Sequence, residues 1–344
     1  MSVQAGVKNI TIDDVALNLG VSKTTVSRVV SGKGRISNET RARVMAYIEE
    51  SGYRPNIIAK SLAQSKTYNV CVALPNDLNL ADIPFFQNIQ LGICEYLAEH
   101  DYDVILTTID NSAGEQSTIH NLVRIISNQK VDAVLLTRTV NDDQAITYLK
   151  KQKIPFVTIG SYPDDEVFQV DEDHQNGSCE LVSMLLKEGL KRLALFGGNP
   201  SYIVTASRKQ GFIDAFRKMG LKHPPRLSFD NLLSEKDYES AIETALFEKA
   251  DCIVCMDDNI CEITLRKLAE KKISVPAEIK VASLFGSIIL DGRSPSVTCL
   301  EFNTKNLGVQ AGQKILDIIN GKDPSRRTLL TYNVMLKETT ARAI

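Results

Sequence analysis

Reactive side chains are sparse and scattered in this chain of 344 residues. The four histidines, His100, His120, His174 and His223, lie far apart, and no HExxH, GxSxG or Walker loop offers a metal, a nucleophile or a phosphate cradle. Gly32-Lys33-Gly34 has no strand before it and no Lys-Ser/Thr after it, so it does not read as a phosphate loop. Cys252-x-x-Cys255 has the spacing of a redox pair or of half a zinc site. It sits inside the apolar run CIVCM, where successive strand positions face opposite ways, and no second ligand pair exists, so core packing is expected. No catalytic set, cofactor or metal is expected. The densest functional chemistry is at residues 22–28, where Ser22, Lys23, Thr24, Thr25, Ser27 and Arg28 put hydroxyls and cations on one short stretch. Those groups suit the phosphates and base edges of DNA.

Helices must present them. Ile12, Val15, Ala16 and Leu19 recur at helical spacing, Gly20 permits a tight turn, and Val26, Val29 and Val30 mark the buried stripe of a second helix over 22–30. Ser22 is placed to cap that helix, which leaves the polar residues after it on the outward face at its N-terminal end. A third helix over 38–51 offers Ala42, Val44, Met45 and Ile48 to close a three-helix core, and Lys33 and Arg35 in the loop before it would lie near a phosphate backbone. Pro55 ends this head. Asn56 then caps a short helix over 57–64, too short to be stable alone, so its folding depends on a partner. Residues 1–68 carry ten Lys or Arg against five Asp or Glu, a charge of +5; the whole chain is −2, so the remainder carries −7. A basic head on an acidic body suits a protein whose head alone meets nucleic acid.

From residue 68 continuous apolar runs alternate with helical patterns, as in parallel sheets buried on both faces. YNVCVALP, YDVILTTI, DAVLLT and PFVTIG are the strands of one doubly wound unit. After SYPDDE, a second unit is expected from VFQVDED, RLALFGG, DCIVCMDD and IKVASLF, with VTCLEF, a helix over 303–320 and LLTYNVML crossing back between the units. Such sheets bind small ligands at their facing ends. The expected division is a head over 1–54, a hinge over 55–67 and a core over 68–344. Within the core, one subdomain spans about 68–164 plus 299–325 and the other about 165–298 plus 326–344. No apolar run reaches membrane-spanning length and no signal-peptide layout is present, so a cytoplasmic location with no membrane contact is expected.

T-x-x-D-V-A at residues 11–16, G-V-S-K-T-T-V-S-R-V at 20–29, G-Y-R-P-N at 52–56 and A-K-S-L-A at 59–63 resemble the lactose-repressor and galactose-repressor (LacI/GalR) family, and the similarity runs to the C-terminal end. The resemblance implies a helix-turn-helix head and a core shared with periplasmic sugar-binding proteins. It adds Thr11, Asn56, Ala59 and Leu62 to the DNA-binding residues, with Leu62 wedging between base pairs. For an effector in the cleft it implies Phe85 and Phe86, Arg208 in R-K-Q-G-F, Asp173, Asp257, Phe285 and Glu301. Phe285 stands where the family usually has an aspartate that accepts sugar hydroxyls, so the effector is expected to be sugar-like or anionic, with Arg208 facing Asp257. The resemblance also implies operator DNA and a homodimer as partners; a tetramer and a phosphorylated carrier protein stay open. The function expected is a transcriptional regulator, a repressor, and not an enzyme. The alternative is a small-molecule binding protein or enzyme with an incidental N-terminal hairpin.

Overall fold

The computed structural model describes residues 10–31, 34–53, 61, 64–76, 83–110 and 119–341. The chain divides into two compact units, 1–67 and 68–344. Asn56, Ala59 and Leu62 lie outside the described residues.

The first unit contains α1 (Ile12–Leu19), α2 (Lys23–Ser31) and α3 (Asn38–Ser51). Thr11 and Asp14 form a reciprocal capping box at the start of α1, and Gly20 ends it in the left-handed conformation at φ 64°. Val15, Ala16, Val26, Val29, Val44 and Tyr53 form the core. Two expected core positions face outward instead: Val30 is 36% exposed and Met45 50%. Ala42 is exposed as well. A helix packed on one side buries only one stripe, which Val26 and Val29 fill on α2 and Val44, Tyr47 and Ile48 fill on α3.

The second unit holds two six-stranded sheets. The first is parallel throughout, in the order β11-β5-β4-β3-β1-β2, and is built from β1 (Asn69–Pro75), β2 (Asp103–Ile109), β3 (Ala133–Leu136), β4 (Phe156–Ile159), β5 (Gln169–Glu172) and β11 (Arg327–Leu330). The second runs β12-β10-β9-β8-β6-β7. Its strands are β6 (Leu193–Phe196), β7 (Ser228–Phe229), β8 (Cys252–Cys255), β9 (Lys280–Ser283), β10 (Thr298–Phe302) and β12 (Tyr332–Met335), and only the β10–β12 pair is antiparallel. Helices α4 (Ile83–Ala98), α5 (His120–Ser127), α6 (Gln144–Gln152) and α11 (Thr304–Ile319) cover the first sheet. Helices α7 (His174–Lys187), α8 (Ile203–Lys218), α9 (Glu235–Phe247) and α10 (Asp258–Glu270) cover the second. No helix among the described residues is long and apolar enough to cross a membrane.

The division of strands between subdomains differs from expectation in three places. Residues 169–172, expected in the second subdomain, extend the first sheet, where Thr158 pairs with Gln169 and Ile159 with Val170. Residues 327–330, also expected in the second, add an outer parallel strand beside β5. Residues 299–302, expected in the first, pair with β9 and β12 of the second sheet. Apolar runs show that a strand exists; its neighbour depends on ladder partners distant in sequence. The chain therefore passes between the subdomains at about 172–174, 302–304 and 330–332. Cys252 and Cys255 are buried in β8, as core residues.

Candidate functional site

Two sites can be built from the described residues. In the head, the Ser22 hydroxyl accepts the N–H of Thr25 at 3.1 Å and meets the Thr25 hydroxyl at 2.9 Å, so Ser22 caps α2 as expected. Both hydroxyls are engaged in shaping the helix start. Lys23, Thr24, Ser27 and Arg28 are exposed beside it, Lys23 in an ion pair with Asp13 and Arg28 lying against Gly34. Arg35 is exposed in the following loop. Thr11 uses its hydroxyl within the α1 capping box, donating to Asp14 at 2.7 Å.

In the core, the residues after β1, β3, β6, β8 and β9 meet at the strand C-terminal ends, where open α/β sheets place their ligand crevices. The subdomains touch across this cleft. The Phe85 ring from α4 meets the Phe285 ring after β9 edge-on at 5.5 Å, and Phe285 in turn stacks on Phe302 at 5.7 Å. Phe86 lies beneath, edge-on to Phe85 at 5.1 Å, with the Arg138 guanidinium 5.4 Å from its ring centre. Arg138 also donates to the Tyr202 hydroxyl at 3.1 Å, and Val140 bridges to Tyr202 through the backbone.

Arg208 projects from α8 into this region and is 8% exposed. Its Nη1 donates to the Met256 carbonyl at 2.8 Å, its guanidinium lies 5.3 Å from the Phe285 ring centre, and its buried Nε has no hydrogen-bond partner. Burial lowers its pKa. Asp257 opposes that most strongly, followed by Glu172, Asp258 and Asp171, so the expected facing of Arg208 and Asp257 has an electrostatic counterpart. Asp257 also caps α10, its Oδ1 accepting the Ile260 N–H at 2.8 Å.

The sequence reading missed the groups at the first crossover. Asp171 accepts from the Ser161 N–H and hydroxyl at 2.8 and 2.7 Å. Glu172, 2% exposed, has no hydrogen-bond partner on either carboxylate oxygen. Burial, reinforced by Asp171, pushes its pKa up to about 8, with Arg208 opposing. His174 Nε2 lies 3.5 Å from Asp171 and 3.7 Å from Glu172, and its ring packs at 5.0 Å from Phe302. Burial, with Arg208, holds this imidazole well below its ordinary pKa and therefore neutral. The signal was present: consecutive acids inside the apolar run VFQVDED have no solvated face to occupy once the strand is internal.

Two effector candidates take other places. Asp173 is the N-cap of α7, accepting the Asn176 N–H at 3.2 Å and its side-chain amide at 2.8 Å, and it borders the cluster without joining the groups around Arg208. Glu301 pairs with Lys337 at 3.0 Å. Phe302 carries the cleft-facing position of β10, and strand alternation turns Glu301 to the opposite face, which removes it from the cleft set.

Residues 11–56 match the family model "Bacterial regulatory proteins, lacI family", and residues 67–339 match "Periplasmic binding proteins and sugar binding domain of LacI family". The chain is 27% identical over 341 residues to the HTH-type transcriptional regulator MalR of Streptococcus pneumoniae, covering 95% of this chain and 99% of that relative. Its structure is similar to that of the transcriptional regulator CelR–cellobiose complex, with a TM-score of 0.71 and 26% identity over 96% of this chain and 99% of that one. It shares the fold of the Lac repressor dimer bound to operator and the anti-inducer ONPF, with a TM-score of 0.78 and 22% identity over 97% of this chain and 100% of that one.

Proposed function

From the premise that this chain belongs to the LacI family of bacterial regulatory proteins, DNA-binding transcriptional regulators with a sugar-binding type of core, we propose that it is a homodimeric repressor released from its operator by a small polyhydroxylated effector. Lys23, Thr24, Ser27 and Arg28 read bases in the major groove, Arg35 contacts phosphate, and Asn56, Ala59 and Leu62 serve the hinge. A dimer places two such helices on the halves of a near-palindromic site. The effector lies between the subdomains against Phe85, Phe285, Arg208 and Asp257. It acts by binding one arrangement of the subdomains better than the other, since only a differential affinity can shift DNA binding. The observation that carries this reading is the buried Arg208, anchored on the Met256 carbonyl at the meeting of the two subdomains with its Nε unpaired.

The test is a mobility-shift assay with the promoter DNA of the gene and its neighbours, with and without sugars. Wild-type protein should bind and be released. Arg208→Ala should bind the same DNA and lose the response by at least tenfold in effector concentration. Replacing Lys23 and Thr24 together by Ala should alter the half-site recovered from a randomised pool, each lost base contact being worth roughly 1–3 kcal/mol. A normal response by Arg208→Ala would remove the cleft from the reading.

A further inference from the structure

A cavity of about 310 Å³ opens at the first crossover, bounded by Asp171, Glu172, Asp173 and His174, with Ser207 from α8 and Arg327 from β11 among the residues opposite. Its size is at the lower end for small-molecule sites and suits a single sugar ring. Three consecutive acids face it against one lining cation, Arg327, whose guanidinium donates to the Ser161 hydroxyl at 3.2 Å. Asp171 has its hydrogen bonds from Ser161, and Asp173 has its own from Asn176. Glu172 has neither: it is buried, it borders the cavity, and both oxygens lack a hydrogen-bond donor. A buried carboxylate in that condition is costly unless a donor reaches it or a proton neutralises it.

We propose that the effector carries a protonated amine, and that this ammonium group is received by Glu172 in the cavity at the first crossover. The inference rests on the cleft being the effector site and names the chemical class of its ligand. The Arg208 guanidinium already has a carboxylate partner in Asp257, with Asp258 and Asp171 adding to it, so it does not call for an anionic effector even with Glu172 protonated. An anionic effector, which the loss of the usual aspartate at Phe285 suggests, would be repelled by the same carboxylates.

Binding is linked to protons. The groups facing Glu172 are Asp171 on its own strand, His174 on α7 and Arg208 on α8, with Arg327 across the cavity on β11. His174 is neutral and Asp171 disfavours a second charge, so the empty site keeps Glu172 protonated at neutral pH. An arriving ammonium stabilises the carboxylate, and the proton leaves to solvent.

Isothermal titration of the full chain with three sugars that differ at one carbon tests this: 6-amino-6-deoxy-D-glucose, D-glucose and D-glucuronate, with 2-amino-2-deoxy-D-glucose at pH 6.5 as a second amine position. At least one amino sugar should bind tenfold or more tighter than glucose, with glucuronate weakest. At pH 7, buffers of different ionisation heat should reveal up to one proton released per amine bound. Glu172→Gln should abolish both the preference and the proton release. Neither amino sugar exceeding glucose, glucuronate binding best, or an undiminished preference in Glu172→Gln would each overturn the proposal. A parallel mobility-shift assay keeps the two readings apart. Release of DNA by neutral sugars without an amine preference sinks the amine alone, whereas a Glu172-dependent amine preference without any effect on DNA leaves the amine site standing and sinks the control.

Discussion

Glu172 gives up its proton near 4.5 when solvated and only near 8 in the folded chain. Between those values the native state holds a proton that the unfolded state has released, so raising the pH from 4.5 to 8 weakens folding. The contribution is on the order of a few kcal/mol, fully recovered only below the unfolded value. Asp171, also raised by burial, acts in the same direction. His174 acts in the opposite one, because its neutral buried form is favourable above the unfolded value of 6.5 and the advantage is lost as the pH falls below it. Glu172→Gln keeps the shape and removes the titration. It should melt above wild type at pH 8, with the gap closing towards pH 5, as followed by circular dichroism across that range. A gap that widens on acidification would mean that Glu172 is ionised in the folded protein.

The elements around the site approach more closely than side chains normally allow. A Cβ on Gly308 of α11 would stand 2.1 Å from the Ile89 carbonyl of α4, and one on Gly92 of α4 would stand 2.0 Å from the Lys305 carbonyl of α11. The two helix backbones are therefore in contact, which couples the segment after the second crossover to the helix that carries Phe85. Gly308→Ala gains about 1 kcal/mol of helix propensity and loses about 1–3 kcal/mol or more to overpacking against main chain that cannot move aside. Packing should win, and urea unfolding should show a net loss of at least about 1 kcal/mol. The same device explains the glycine of Arg208-Lys209-Gln210-Gly211-Phe212. Gly211 lies where a Cβ would be 2.2 Å from the Gln175 carbonyl, so α8 rests directly on α7, and Arg208 one turn earlier is held beside the first crossover.

At the level of the whole chain, the division at residues 67 and 68 separates two units with their own cores. A protein consisting of residues 68–344 should fold, bind the effector with an affinity within about twofold of the full chain and have no operator binding. Calorimetry and mobility shifts on the same preparation check both. A core that needs residues 1–67 to bind effector would mean that the head contributes to the cleft.

Local and periodic features were legible in the sequence itself. The three helices of the head, the Ser22 cap and the order of strands and helices in the core follow from residue type and spacing within a few turns of chain, where helix periodicity, capping and apolar runs act, whereas Arg208 and the Phe285 departure were legible only through the family resemblance. Tertiary structure alone decided which sheet each crossing strand joins, because ladder partners such as Thr328 and Val170 lie far apart in sequence. The same crossings decided the polar site. They bury Asp171 and Glu172 beside His174 and turn Phe302 rather than Glu301 toward Phe285, and a carboxylate's desolvation depends on every element packed around it, which no single stretch of sequence contains.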